Sequence, residues 1–316
     1  MDETGIGSVG AAHVPVLVVE VAEWLRPRPG ACLVDATVGL GGHAAALLAA
    51  APGARLLAVD RDTEALIWAR ARLGNTPGVE FRQGDFAELG ALLAGIGWEG
   101  ADAIVVDLGV SSLQLDDPGR GFSFRAGGPL DMRMDPGSAL TAAEVVNTWP
   151  ERELAHIIAT YGEEPRARAV ARAIARARPL ATTTGLADVV ARLLGRGRPG
   201  LHPATRTFQA IRIAVNDELG GLERFLAEGY ALLRPRGRLA VLAYHSLEDR
   251  LVKGAFRRWA ASCLCPPQVA RCVCGWSARV RLLTPRPVRP TPLEVLRNPR
   301  ARSARLRVVE RLEKGQ

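Results

Sequence analysis

With 316 residues, 48% of them apolar and 23% charged, the chain has the composition of a folded globular protein larger than one ordinary domain. It holds no apolar run long enough for a membrane span, and the start Met1-Asp2-Glu3 lacks the basic flank of a secretory signal, so a cytoplasmic protein without membrane attachment is expected. The net charge of +8 is unevenly spread: residues 251–316 hold 15 Lys/Arg against three Glu, a local +12 that suits a polyanionic partner or, equally, a solvated arginine-rich face.

Short β-prone runs at 32–34, 56–59, 79–82 and 103–106 alternate with alanine-rich helical segments at 44–51 and 63–73. This is the rhythm of a parallel sheet with crossover helices. Cys32 falls inside the first run and reads as core.

The first run opens into Asp35-Ala-Thr-Val-Gly39-Leu-Gly41-Gly42-His43. A glycine turn between strand and helix brings bare backbone N–H groups and a positive helix end to a ligand. Gly39, Gly41 and Gly42 meet that need, but Gly39 to Ala44 also matches the looser glycine pattern of dinucleotide folds. Asp35 separates the two: a carboxylate there suits the ammonium of a methionine moiety and repels a pyrophosphate. Asp60 closes the second run, where an acid accepts from ribose hydroxyls in either kind of site. Gly84-Asp85-Phe86 follows the third run and offers a carboxylate and a ring for an adenine. In register at the ends of successive strands, these features point to S-adenosylmethionine. His43 is read both as a contact to the methionine carboxylate and as a polar helix cap.

The fourth run ends in Asp107-Leu-Gly-Val-Ser111-Ser112, with an acid placed to accept from an amine but without the Pro-Pro-aromatic platform common in amine methylation. The stretch 116–137, rich in Gly, Pro, Asp and Arg, reads as a long functional loop, and helical spacing then runs from 142 to 194 and stops at Gly195-Arg-Gly-Arg-Pro-Gly200. A helical stretch over 205–233, a turn at Pro235-Arg-Gly237 and a strand at 238–244 resume the sheet, and 279–283 and 306–309 are expected to form an edge pair. His245 and Ser246 follow the fifth strand and read as base contacts or as a capped turn, with Ser246 as N-cap and Asp249 three residues on.

Long strings identify the family that this sequence resembles. They are His13-Val-Pro-Val-Leu17, Asp35 to His43, Asp60-Arg-Asp62, Asp107 to Asp117, Arg120-Gly-Phe-Ser-Phe124, Gly128 to Asp135, Tyr161-Gly-Glu-Glu164, His202 to Gln209, His245 to Arg250 and Asn298 to Ser303. Nearly end to end, they are similar to the bacterial 16S rRNA (cytosine-N4)-methyltransferases, the RsmH/MraW family. The resemblance implies a doubly wound, Rossmann-like class I S-adenosylmethionine-dependent methyltransferase domain, formed by 1–115 and 203–316. Residues 116–202 would supply a loop and an inserted helical substrate-binding domain. It further implies methylation of the exocyclic N4 of a decoding-centre cytidine, with 16S rRNA or the small ribosomal subunit as partner. Cofactor contacts carried over by position are Gly41, Gly42, His43, Asp60, Phe86, Asp107 and Gln114.

In-line transfer from a sulfonium needs alignment more than a metal. Asp107 and a backbone carbonyl are the expected acceptors of the N4 protons, Ser111 and Ser112 are expected to orient the base, and His245 to touch it. Asp131, Arg133 and Arg206 read as phosphate grips or as ion pairs that order the loop. Cys263-Leu-Cys265 and Cys272-Val-Cys274 offer four soft ligands, enough for one structural zinc. Their C-x-C spacing is tighter than the usual C-x2-C knuckle, so reduced thiols in a Pro-flanked loop are the expectation preferred.

Overall fold

The computed structural model describes residues 15–195, 202–269 and 271–313. The beginning of the His13 string and most of the glycine-arginine stretch after Gly195 lie outside them. The seven strands are β1 Cys32–Asp35, β2 Arg55–Asp60, β3 Val79–Gln83, β4 Ala101–Asp107, β5 Leu233–Ala243, β6 Val280–Leu282 and β7 Arg305–Arg311. They form one sheet in the order β3-β2-β1-β4-β5-β7-β6. The first five are parallel, and β7 runs antiparallel to both β5 and β6.

The apolar runs are continuous because both faces of the sheet are covered. Along each strand alternate residues enter two cores. Leu33, Leu56, Ala58, Val105, Leu242 and Val308 face one. Val34, Leu57, Val59, Ile104, Val241 and Val309 face the other, with Phe225, Phe256 and Trp259. Helix Thr63–Leu73 has the expected bounds, and Asp62 caps it by accepting from the Glu64 N–H at 3.1 Å.

One expectation for the second half of the sheet holds and one is corrected. Residues 279–283 and 306–309 pair at the end of the sheet, β6 outermost and β7 within, with Leu306, Val308 and Val309 fully buried. Arg305 and Arg307 of β7 reach Asp249 on helix Ser246–Ala260 at 2.8 and 2.7 Å. The turn at 235–237 is a bulge within β5: Ala101 pairs with Leu233 and Ala103 with Arg238, so the intervening residues loop out.

Two compact units divide the chain, residues 1–109 with 220–316, and residues 110–219. The second is wider than the expected 116–202 insertion. Helix Thr205–Asn216, expected with the sheet, gives Phe208, Ala210, Ile211 and Val215 to the core of the helical unit. The loop of 116–137 also joins that core through Phe122, Leu130, Met132 and Met134. Its irregular backbone is held by polar contacts of its own: Arg120 donates to the Arg133 and Met134 carbonyls at 3.0 and 3.1 Å, and Asn216 Nδ2 to the Met132 carbonyl at 2.7 Å. Helix Ala167–Ala177 buries Val170, Ala171 and Ile174 and leaves Arg168, Arg172 and Arg176 exposed at four-residue spacing. No helix among the described residues is long and apolar enough to cross a membrane.

Candidate active site

The C-terminal ends of neighbouring parallel strands are where an open α/β sheet binds ligands, and here β1, β2 and β4 end at Asp35, Asp60 and Asp107. The chain leaving β1 stays tied to both neighbours, with Ala36 N–H on the Val105 carbonyl and Val38 N–H on the Val59 carbonyl. It then turns through Gly39 at φ 50° and Gly41 at φ 74°, a left-handed path that glycine takes without a Cβ penalty, and enters helix Gly42–Ala50. A Cβ on Gly42 would meet Pro15 Cγ at 2.7 Å, so packing requires glycine there as well.

Asp60 shapes this turn. Its Oδ2 accepts from Gly39 N–H and its Oδ1 from Asp62 N–H, both at 2.9 Å, so each oxygen keeps one lone pair for a ligand. Burial pushes its carboxyl up to about 6, against the pull of those two amides.

Asp35 is only 1% exposed. Its Oδ1 accepts a long bond from Thr37 N–H at 3.3 Å, while its buried Oδ2 has no hydrogen-bond partner among the described residues. Burial raises this carboxyl to about 7; His43 opposes the rise and Asp107 and Asp60 add to it. A buried acceptor left open is costly, which marks the place as prepared for a donor.

Asp107 is held from three sides. Its N–H donates to Thr37 Oγ1 at 2.7 Å, its Oδ1 accepts from the Tyr244 hydroxyl at 2.7 Å, and its Oδ2 lies 3.4 Å from His43 Nε2. The last distance is that of an ion pair without hydrogen-bond alignment, and both His43 nitrogens are buried and unbonded among the described residues. Burial presses the imidazole pKa down, but Asp107 and then Asp35 carry it above its ordinary value. Tyr244 is raised well above its usual range by burial and by Asp107, so its hydroxyl stays a donor.

The remaining expected residues have local partners. Phe86 is 8% exposed and meets Phe225 edge to face at 5.8 Å, inside one of the sheet cores. Asp85 accepts from Ala87 N–H at 2.8 Å and pairs with Arg61. His245, not Ser246, is the N-cap of helix Ser246–Ala260: its Nδ1 accepts from Glu248 N–H at 3.4 Å, and Glu248 Oε2 accepts from the backbone N–H groups of Tyr244 and His245. In the helical unit, Ser111 and Gln114 form a reciprocal capping box on helix Ser112–Asp116, at 3.2 and 3.0 Å, and Ser112 is buried. Asp131 and Arg133 pair with each other at 2.7 Å, and Arg206 lies 3.6 Å from Glu164.

Sequence reading missed Tyr244 and Thr37. Tyr244 follows β5 directly, and a polar-tipped ring at a strand end beside an acid was the available signal. A groove of about 680 Å³ lies elsewhere, between residues 25–31 and 235–238. Three of its arginines are matched by acids, Arg238 with Glu310 at 2.8 Å, Arg236 with Glu313 at 2.7 Å and Arg281 with Glu310 at 2.7 Å, so the open polar atoms at the strand ends are the better mark of a reactive site.

A doubly wound sheet of this order, with one reversed strand beside its edge and acids closing three strands around a glycine turn, defines a Rossmann-like methyltransferase. The chain belongs to the MraW methylase family, whose sequence model matches residues 10–312. It is 54% identical over 309 residues to the ribosomal RNA small subunit methyltransferase H of Thermomicrobium roseum, covering 96% of this chain and 95% of that protein. It is 51% identical over 309 residues to the protein of the same name from Geobacter sulfurreducens, covering 95% and 99%.

Proposed function

We propose that this protein methylates the exocyclic N4 of a cytidine in the decoding centre of 16S rRNA, with S-adenosylmethionine as donor, in the cytoplasm, on the RNA or the small ribosomal subunit. The observation that carries the donor is the open, buried Oδ2 of Asp35 beside a glycine turn, which fits an ammonium and is hostile to a pyrophosphate. Names of the relatives, ribosomal RNA small subunit methyltransferase H, support the acceptor, and the exposed arginine row of helix Ala167–Ala177 suits a polyanion.

When bound, the donor supplies an electrophilic methyl on a sulfonium. Asp35 would hold its ammonium, His43 would face its carboxylate, and the spare lone pairs of Asp60 would accept from its ribose hydroxyls. The Gly39, Gly41 and Gly42 backbone would let the ligand approach, and Phe86 would close the apolar side. Asp107 carries the acceptor chemistry. Tyr244 occupies its Oδ1, leaving Oδ2, on the His43 side, as the atom that would accept an N4 proton, localise the nitrogen lone pair and take that proton on methylation. A cofactor contact for Gln114 and base orientation by Ser111 and Ser112 rest on family resemblance. His245 keeps its cap and in our reading positions Tyr244 through Glu248.

Nucleoside mass mapping of ribosomes from a deletion strain tests the reading. N4-methylcytidine should disappear from 16S rRNA and return with the wild-type gene but not with Asp107→Ala. Loss of a different modification would reject the acceptor, and calorimetric binding of NADH without S-adenosylmethionine would reject the donor.

A further inference from the structure

The segment joining helix Ser246–Ala260 to β6 carries a cluster that the methyl-transfer chemistry does not use. Cys263, Cys265, Cys272 and Cys274 bring their four sulfurs within 4.8 Å of one another. The closest approaches are Cys263 to Cys272 at 3.4 Å, Cys272 to Cys274 at 3.6 Å, Cys263 to Cys274 at 3.7 Å and Cys265 to Cys272 at 3.9 Å. None is a disulfide, and all four thiols are free. A tetrahedral ion with metal–sulfur bonds of about 2.3 Å spaces its ligands about 3.8 Å apart, which is the size of this cage.

The surrounding backbone is arranged for thiolates. Leu264 N–H and Trp276 N–H both donate to Cys274 Sγ, at 3.4 and 3.5 Å, Cys265 N–H donates to Cys263 Sγ at 3.3 Å, and Val273 N–H to Cys265 Sγ at 3.4 Å. Amide donors aimed at sulfur stabilise its anionic, metal-binding form. Beneath the cluster, Trp276 Nε1 donates to the Ala261 carbonyl at 3.0 Å and the Arg279 guanidinium stacks 5.1 Å from the Trp276 ring, closing the base of the loop. Leu264, Val269 and Val273 are exposed, so among its described residues these apolar side chains form no core for the segment. The C-x-C spacing that argued against a metal is met by two short turns facing each other, each giving two sulfurs.

We infer that these four cysteines bind one structural zinc ion, which folds and staples the 261–279 loop. A four-thiolate tetrahedron selects zinc or iron among common metals, and a closed cage with no open position is structural in kind. Because an exposed loop of this kind buries little, the metal supplies most of its folding free energy.

The experiment is metal analysis of the full-length protein purified without chelator. Expected are about one equivalent of zinc, four thiols that react with a disulfide reagent only after chelation, and, on exchange into cobalt, intense sulfur-to-cobalt charge transfer with the visible bands of a tetrahedral site. Cys263→Ser or Cys272→Ser should lower zinc content about tenfold. Should either variant fail to fold, the cobalt spectrum and thiol protection of the wild type decide. A metal-free protein with four freely reactive thiols, a mass showing two disulfides in anaerobically prepared protein, or stoichiometric iron in place of zinc would each overturn the assignment.

Discussion

Two buried aspartates in the sheet unit show opposite ways of placing a charge in a protein interior. Asp249, 8% exposed, is gripped by Arg305 and Arg307 of β7, and although burial pushes its carboxyl up, the two guanidiniums hold it below the usual range. Asp35, 1% exposed, has one open oxygen and a carboxyl raised to about 7. The first acid is satisfied and stabilises packing; the second is unsatisfied and costs stability, the signature of a group kept for a ligand. The same contrast separates the matched Arg236 and Arg238 of the groove beside residues 25–31 from the open atoms at the strand ends.

The contrast breaks most visibly at Asp107, which has both local partners and a reactive assignment. Asp107→Ala is expected to lower transfer of labelled methyl to small-subunit RNA by about 10²–10⁴-fold, the span of a lost general base. Circular dichroism should show an intact fold, because the carboxylate is partly exposed and its neighbours can take water. Near-wild-type transfer would remove Asp107 from the chemistry.

Asp249→Ala should behave in the opposite manner. It leaves Arg307 buried and unpaired, costing on the order of 3–5 kcal/mol, or about 6–20 °C in the melting of the sheet unit. Turnover per folded molecule at low temperature should hardly change. The stabilisation is also pH-dependent in a definite direction: an acid held below its unfolded value of 3.8 contributes fully above that pH and loses its contribution as pH falls through the lowered native value. Calorimetry across pH 2–7 checks this, and a turnover loss larger than the stability loss would place Asp249 in the site.

What sequence could show follows the same division. The strands were legible because both faces of the sheet are apolar, and the Asp35 to His43 turn because its chemistry is contiguous. Long-range satisfaction was not legible. The ion pairs of Arg305 and Arg307 could not be read because their partner lies more than fifty positions earlier, and Thr205–Asn216 looked like part of the sheet domain because an amphipathic helix does not say which core it fills. The cap after β5 was read one residue late, since histidine is a less usual cap than serine. Tyr244 was missed because Asp107, its partner, is 137 positions away.

Asp35→Asn sharpens the comparison directly. Between 3.8 and about 7 the native carboxyl binds its proton more tightly than the unfolded chain does, so its burial penalty is absent below that window and complete above it. The amide should therefore raise the melting temperature of ligand-free protein at pH 8 by a few °C and leave it unchanged near pH 4. Donor affinity should fall about tenfold to a hundredfold, the loss of one charge-assisted bond. In the wild type, affinity should weaken as pH drops below about 7, because an ammonium needs the ionised carboxylate, and the variant should lose that dependence. A stability gain with unchanged donor affinity at every pH would show that Asp35 is an uncompensated burial and nothing more.

The smallest expected effect is at Tyr244. Its hydroxyl donates to Asp107 Oδ1 and, being raised well above its usual range, remains a donor at every pH of interest. It therefore fixes the carboxylate rotamer and directs Oδ2 toward His43, while the ring packs beside Gly109, where a Cβ would come within 3.4 Å of Tyr244 Cδ2. Tyr244→Phe keeps that packing and removes only the donor, so the fall in kcat should be modest, about three- to tenfold, with KM for RNA unchanged. The readout separates positioning from packing: a structural role would lower the melting temperature and leave kcat per folded molecule unchanged, and an unchanged kcat would reduce Tyr244 to a filler of the strand end.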